Sequence, residues 1–261
     1  MRLDPAHARP VGPEPLPGIA SDGVRSLPVA CATLGAFALL VTIAAGLLVA
    51  HAGVDWPVLP LSLVLFLPVG AFVVWRIGDH AHSRFGPANV VTAARGGLAA
   101  LIGAGAWQFG APSETADDYR WMLVGTALVA LSLDGVDGWL ARRTGLVSRF
   151  GERFDMEVDA FLILMLCAVA FADGKAGAFV FAIGLMRYGF LAWAAVDRRL
   201  SRPLAPSFRR KTVCVLQIAL LCAALLPPVE PPLSDALALA SLGFLTWSFA
   251  ADIRALLGRR A

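Results

Sequence analysis

The chain has 261 residues, of which 58% are hydrophobic and only 16% are charged, and its mean hydropathy is +0.71. A soluble domain usually carries about 25% charged residues, so this composition excludes an ordinary soluble enzyme. The formal net charge of +3 is small, and we expect no nucleic-acid partner. Apolar runs of about 20 residues recur from Leu27 onward, each long enough to cross a hydrocarbon layer of about 30 Å. The composition therefore predicts an all-α, polytopic membrane bundle, because each span must satisfy its own backbone hydrogen bonds in lipid.

The chain begins with a stretch, residues 1–26, that is rich in proline and lacks apolar periodicity. It is predicted to be a mobile cytoplasmic tail and not a cleaved signal, because a span-length apolar stretch follows it. Eight spans are predicted after the tail, at 27–51, 58–76, 88–109, 121–141, 153–172, 176–197, 211–227 and 234–255. We divide the chain into the tail, two additional N-terminal helices within 27–84, and a catalytic core within 85–261.

The distribution of arginine and lysine predicts the orientation of these spans. The connections near 142–153 and 198–211 are rich in basic residues, and the chain ends in further arginines. The alternate connections, near 52–57, 110–119 and 228–235, carry acidic residues, and Arg120 and Lys175 are the only basic residues on that side. Both termini are therefore expected in the cytoplasm, and a bacterial inner membrane is the expected location.

Four aspartates occur close to the cytoplasmic ends of two consecutive predicted spans. Asp134 and Asp137 lie near the end of the fourth span, and Asp155 and Asp159 lie near the start of the fifth. Spacings of three and four residues place each pair on one helical face. The short basic loop between these spans predicts antiparallel neighbours, so the four carboxylates are expected to converge at one depth.

Clustered carboxylates at this depth indicate a functional site that includes a cation. Ionisable groups within membrane spans are costly and usually functional, and four carboxylates would repel one another without compensation. Their oxygens suit Mg²⁺ or Mn²⁺, which also organise phosphates. Ordinary helix caps and arginine pairs are the alternative for one or two of these acids. Gly135, Gly138 and Gly151 lie beside the carboxylates, where they let a ligand approach the backbone or serve helix packing.

These residues resemble the signature of the CDP-alcohol phosphotransferase family, D-x2-D-G-x2-A-R-x8-G-x3-D-x3-D. All its fixed positions are present at the required spacing. They are Asp134, Asp137, Gly138, Ala141, Arg142, Gly151, Asp155 and Asp159. The resemblance extends over roughly residues 85–257, six spans, and leaves the tail and the first two spans outside.

The resemblance implies transfer from a CDP-linked donor to an alcohol, with release of CMP. It implies that Asp134, Asp137 and Asp155 bind metal, with two ions expected, and that Asp159 is the general base and also touches metal. A carboxylate within reach of the acceptor hydroxyl can take its proton as the new bond forms. Gly138, Ala141, Arg142 and Gly151 are expected in the pocket for the cytidine diphosphate. Dimers are common in the family, and a homodimer is an option that no segment of this sequence proves.

Two other segments are similar to secondary features of the family. Asn89, Thr92 and Arg95 match an Asn-x-x-Thr-x-x-Arg pattern, which places Asn89 and Thr92 in the nucleotide pocket; they could equally be helix-start caps. Arg187 lies inside the sixth span and needs an anionic partner, either a carboxylate or a substrate phosphate. Some relatives have Arg-Glu where this chain has Arg187-Tyr188, so the identity of their acceptor alcohol is not inferred for this chain.

The favoured function is transfer of a phosphatidyl group from CDP-diacylglycerol to a small polar alcohol such as glycerol phosphate or inositol phosphate. The candidate residues for binding the acceptor phosphate are Arg149, Arg153, Arg187 and Lys211. Transfer from a soluble CDP-alcohol to diacylglycerol is the alternative with the same chemistry. A divalent-cation transporter is the alternative from a different class, disfavoured because no internal repeat is visible and the acids lie near one face.

Two further predictions concern residues outside the signature. Glu157 points away from the face of Asp155, because two residues rotate a helix by about 200°. We expect it either to tilt toward headgroup water or to pair with Arg95 or Arg187. His80 and His82 lie in a predicted loop with Asp79, where histidines are more often solvated than bound to metal.

Overall fold

Eight α-helices account for most of the chain that the structure describes. The computed structural model describes residues 19–110, 116–197 and 207–257. The helices are α1 (Ile19–His51), α2 (Val58–Arg76), α3 (Pro87–Ala104), α4 (Ala116–Thr144), α5 (Arg149–Ala172), α6 (Phe181–Val196), α7 (Phe208–Ala224) and α8 (Leu233–Leu257). Short 3₁₀ turns extend α2 and α3 and precede α6. Within these residues there is no β-strand, which confirms the all-α prediction.

Six of the eight helices are long and apolar enough to cross a membrane: α1 to α4, α6 and α8. The other two carry charge near their starts. The first three turns of α5 hold charged residues from Arg149 to Asp159, and α7 begins with Arg209, Arg210 and Lys211. The apolar remainder of α5 is buried, with Leu162 and Leu166 fully inside the protein. This architecture is a polytopic helical membrane bundle.

The centre of the bundle is α3. It packs against α1, α2, α4 and α5, and 56% of its span is buried, against 28% or less for the other candidate spans. Around it, α5 also packs against α6 and α7, and α7 packs against α8 and α4. The first two helices therefore join the remaining six mainly through α3, with a smaller contact between α2 and α5.

The observed helices begin and end close to the predicted spans, with one exception. Helix α1 begins at Ile19, inside the stretch predicted as a tail, and continues through Pro28. Several residues used in the predictions lie outside the described part of the chain. They are residues 1–18 of the tail, Glu114, and Arg198, Arg199, Arg202, Arg259 and Arg260 among the basic residues.

The expectation that α4 and α5 are each other's packing neighbours is wrong. The two helices follow one another through a four-residue connection, 145–148, yet each packs more extensively against α3 than against the other. Helix α3 is rich in alanine and glycine, and small residues let helices approach closely in membranes. The carboxylates of α4 and α5 therefore meet across α3.

Glycines of α3 and α6 lie close to side-chain and backbone atoms of α5. A Cβ atom at Gly103 of α3 would lie 2.1 Å from the Sδ atom of Met165, and one at Gly184 of α6 would lie 2.9 Å from the Cα atom of Leu164. Both distances are too short for a real Cβ atom. The Sδ atom of Met165 is near the end of a flexible side chain and can move, whereas the Cα atom of Leu164 is backbone, so the absence of a side chain at Gly184 sets the separation of α5 and α6. Helix α5 is therefore held close to α6 at this position.

Candidate active site

A fully buried arginine of α3 lies at the meeting point of the four aspartates. Asn89, Thr92 and Arg95 recur every three residues, so they share the face of α3 that looks toward α4 and α5. The side chain of Arg95 has no exposed surface, and its Nε atom donates to the carbonyl oxygen of Ala130, 3.2 Å away on α4. Its two terminal nitrogens are left to face the carboxylates.

Each aspartate of the cluster is paired with this guanidinium. The Nη1 atom of Arg95 donates to Asp137 at 2.9 Å and to Asp155 at 2.6 Å. The Nη2 atom lies 3.3 Å from Asp134 and donates to Asp159. The hydroxyl of Thr92 also donates to Asp137 at 3.1 Å. Thr92, which shares the helix face of Arg95, therefore belongs to the same network.

The donor set of this cluster fits a divalent cation. Oxygens of Asp134, Asp137 and Asp155 lie within 4.8 Å of one another. Mg²⁺ binds oxygens at about 2.0–2.1 Å, so two ligands of one ion are at most about 4 Å apart. Small side-chain rotations would bring the three oxygens to that separation. One guanidinium also leaves the four carboxylates with an excess of negative charge, which a hard cation would offset.

Asp159 differs from the other three aspartates in its surroundings. One of its oxygens accepts from Arg95, and the other lies 3.6 Å from the Sγ atom of Cys214 on α7. It is not among the three aspartates that form the tightest oxygen cluster. Its position at the α7 side of the site makes it available for a role besides metal binding.

The candidates for the nucleotide pocket lie beside the carboxylates. A Cβ atom at Gly151 would be 3.1 Å from the Oδ1 atom of Asn89, which places the start of α5 against α3. Asn89 itself donates to the carbonyl oxygen of Phe85, one turn earlier. On α4, the guanidinium of Arg142 lies over Gly138, and Ala141 is partly exposed nearby in the sequence. The nucleotide-binding role of these residues remains a prediction.

The four basic residues expected near an acceptor phosphate do not share one environment. Arg149 and Lys211 are exposed, and Arg153 is half exposed and lies 3.7 Å from Asp79. Arg187 is more enclosed and pairs with Glu157 at 2.5 Å. The structure therefore brings the four aspartates together but does not by itself join these four cations into a site.

The pairing of Glu157 with Arg187 confirms one of the two partners expected for this glutamate. The two side chains link α5 to α6 and are each about one quarter exposed, at 25% and 28%. Arg95, the other candidate, is occupied by the aspartates. The Nε atom of Arg187 is buried without a hydrogen-bond partner.

Arg95 is the functional residue whose place the sequence reasoning missed. The sequence offers Arg95 only as a member of the Asn-x-x-Thr-x-x-Arg pattern and as a partner for Glu157, whereas the structure places it in the middle of the acidic cluster. The three-residue spacing from Asn89 and Thr92 shows that Arg95 lies on the same face of α3. It does not show which helices pack against that face. That information depends on α3 packing against both α4 and α5.

The sequence model of the CDP-alcohol phosphatidyltransferase family matches residues 85–248, which is more than half of the chain and contains all four aspartates. This chain belongs to that family. The family transfers phospholipid head groups, so the chain is a transferase of phospholipid synthesis. Family members generally depend on a divalent metal and use a CDP-linked donor and an alcohol acceptor in the membrane. Searches among curated proteins and among solved structures find no match.

Proposed function

We propose that this CDP-alcohol phosphatidyltransferase moves a phosphatidyl group from CDP-diacylglycerol to a small polar alcohol and releases CMP. The observation that carries the proposal is the convergence of four carboxylates from α4 and α5 on one cationic centre at Arg95. A site that gathers negative charge in this way is suited to hold metal ions against a diphosphate, which also carries negative charge.

Asp134, Asp137 and Asp155, with Asp159 at the edge, would hold Mg²⁺ or Mn²⁺, and two ions are expected. Bound there, the metal would neutralise the charge of the donor's diphosphate and of the leaving CMP. Arg95 already shares these carboxylate oxygens, so it limits how far the four side chains can move apart. Its buried guanidinium thereby keeps the donor atoms together at one depth.

Asp159 is proposed to take the proton from the acceptor hydroxyl. The hydroxyl oxygen then forms a bond to the phosphorus that carries the lipid, and the bond from that phosphorus to the oxygen of CMP breaks. A carboxylate is suited to this step when it lies within hydrogen-bond distance of the attacking group. Asp159 lies at the α7 side of the cluster, next to Cys214, where an acceptor could approach from outside the three-aspartate group.

The cytoplasmic start of α5 and of α7 is proposed as the side from which the acceptor enters. Arg149 and Lys211 are exposed there, and Arg153 and Arg187 lie on the neighbouring surfaces of α5 and α6. Basic side chains of this kind attract an anionic acceptor such as glycerol phosphate or inositol phosphate. The same distribution of charge supports an active site and both termini in the cytoplasm, and a bacterial inner membrane is the proposed location.

The test compares different donors and acceptors with purified protein in lipid vesicles that contain Mg²⁺. CDP-diacylglycerol is supplied with glycerol phosphate, inositol phosphate or an uncharged alcohol, and CMP release is measured for each. The proposal predicts CMP release with CDP-diacylglycerol and a preference for a phosphorylated acceptor. CMP release only from a soluble CDP-alcohol with diacylglycerol would show that the donor assignment is reversed.

A further inference from the structure

His80 is fully buried in the loop between α2 and α3, and both of its ring nitrogens have partners. The Nε2 atom lies 2.8 Å from the carbonyl oxygen of Arg84, and the Nδ1 atom lies 3.0 Å from the hydroxyl oxygen of Ser148. A carbonyl oxygen can only accept, so Nε2 carries the proton. In the neutral ring Nδ1 is then an acceptor, and the hydroxyl of Ser148 donates to it.

Ser148 is the N-cap residue of α5. Its Oγ atom accepts from the backbone N–H of Gly151 at 3.0 Å, which satisfies one of the free donors at the start of the helix. Because the hydroxyl proton points to His80, the oxygen lone pairs are free to face Gly151. A chain of two hydrogen bonds thus runs from the α2–α3 loop to the first turn of α5. Asp155 lies one turn further along the same helix.

Aromatic packing strengthens this connection. The rings of His80 and Phe150 lie edge to face, with centroids 5.3 Å apart. Phe72 of α2 stacks on Phe150 at 6.4 Å and on Phe154 at 5.9 Å. In the same loop, His82 lies 3.2 Å from the carbonyl oxygen of Val147. Helix α2 and the loop up to residue 84 lie outside the region that the family model matches, yet they pack directly against the start of α5.

We propose that His80 is a positioning residue. In its neutral form it orients the hydroxyl of Ser148, which caps α5 and fixes the first turn of the helix that carries Asp155 and Asp159. This gives the two additional N-terminal helices a part in the reaction, because they hold the loop that carries His80. His80 acts only through Ser148, and the proposal rests on the proposed function for the step that is positioned.

Protonation of His80 disrupts the hydrogen bonds that connect His80 through Ser148 to the Gly151 amide. A protonated Nδ1 donates to Ser148, so the hydroxyl proton loses its acceptor and the oxygen divides its lone pairs between two donors. Burial lowers the pKa of His80 from its ordinary value of 6.5, against the opposing effect of the bond to the carbonyl of Arg84, and His82 lowers the pKa further. Unfolded chains therefore bind this proton more readily than folded ones. The contribution of His80 to folding stability is complete above pH 6.5 and is lost as the pH falls through its lower pKa in the folded protein.

Other charged groups lie on the elements around His80. They are Arg76 on α2, Asp79, His82 and Arg84 on its own loop, Arg142 and Arg143 at the end of α4, and Arg149, Glu152 and Arg153 on α5. The nearest acid in the sequence, Asp79, pairs with Arg76 at 2.6 Å and lies 3.7 Å from Arg153.

The test measures two quantities on the full chain in detergent with lipid: hydrogen exchange of the Gly151 amide, and kcat for CMP release against pH. His80→Gln keeps a donor for the carbonyl of Arg84 but loses the acceptor for Ser148. We expect it to raise the exchange of the Gly151 amide about five-fold and to lower kcat with little change in KM. His80→Asn places a side-chain oxygen near the position of Nδ1, where it can accept from Ser148. We expect it to restore the protection of the Gly151 amide and to remove the fall in kcat below pH 6.5. His51→Gln, at the exposed C-terminal end of α1 and outside this loop, is the matched control and leaves both quantities unchanged.

A double-mutant cycle separates positioning from general stability. In a Ser148→Ala background, His80→Gln should add nothing to the exchange rate, because the bond through which it acts is already gone. Unchanged Gly151 exchange in His80→Gln overturns the proposal. If His80→Gln does not fold, a fall in kcat below pH 6.5 that persists in His80→Asn overturns it equally. If the wild-type protein releases no CMP from any donor, the proposed function fails, whereas the exchange measurements still decide the role of His80.

Discussion

At the scale of single residues, the aspartates that face Arg95 differ from other acids of the same helices in what surrounds them. Asp134 and Asp155 lie in the oxygen cluster, whereas Glu152 is exposed on the first turn of α5. Replacing Asp134 or Asp155 by asparagine removes an anionic ligand with little change in volume. We expect each variant to lose CMP release by at least about a hundred-fold while it remains folded in detergent.

The control for these variants is Glu152→Gln, which removes one carboxylate from α5 without touching the cluster. It should keep wild-type CMP release at saturating Mg²⁺. Thermal unfolding of each variant is measured in parallel to show that loss of turnover is not loss of fold. Near-normal CMP release by Asp155→Asn would mean that the metal assignment is wrong.

The ion pair between Glu157 and Arg187 is a second prediction at this scale. It links α5 to α6 on a face that the signature residues do not use. Because both side chains are about one quarter exposed, we expect Glu157→Gln to cost about 1–2 kcal/mol, below the range for a fully buried pair. The midpoint of thermal unfolding in detergent should fall, while the affinity for Mg²⁺ changes little. A large loss of Mg²⁺ affinity with an unchanged unfolding midpoint would place Glu157 in the catalytic site instead.

At the scale of helices, close approach at glycine sets the position of α5. A Cβ atom at Gly184 would lie 2.9 Å from the Cα atom of Leu164, which is backbone and cannot move without moving the helix. Gly184→Ala is therefore expected to destabilise the protein by about 1–3 kcal/mol. Gly189→Ala, on the same helix with nothing within 4 Å, is the matched control and should be neutral or slightly stabilising. Equal unfolding midpoints for the two variants would show that the α5–α6 separation does not depend on Gly184.

The helices and the residues of the cluster could be predicted from the sequence because both are local patterns. Apolar run length predicts spans, and the spacing of Asp134, Asp137, Asp155 and Asp159 predicts their faces. How helices pack is not local. The position of α3 between α4 and α5, and with it the place of Arg95, depends on side-chain volumes distributed over three helices. The bond between His80 and Ser148 likewise joins loops 68 residues apart, and no sequence spacing indicates it.

At the scale of the whole molecule, the two basic residues on the side expected to be non-cytoplasmic are both neutralised. Arg120 donates to Asp173 at 2.6 Å, and Lys175 donates to Glu230 at 2.6 Å. The orientation is predicted by the larger number of arginines and lysines in the opposite connections, which these two residues do not outweigh. A fluorescent protein fused to either terminus, expressed in bacteria, should fold and fluoresce in the cytoplasm. A terminus that supports activity of a periplasmic reporter instead would reverse the predicted orientation.

The central claim is that the carboxylate cluster around Arg95 uses a divalent metal to release CMP from a CDP-linked donor. The most direct measurement is CMP release by the purified protein in vesicles with CDP-diacylglycerol and glycerol phosphate, first in EDTA and then with Mg²⁺ or Mn²⁺ restored. The account predicts no release in EDTA, recovery with either ion for the wild type, and no recovery for Asp155→Asn. Release of CMP that persists in EDTA, or recovery of the Asp155→Asn variant to the wild-type rate, would contradict it.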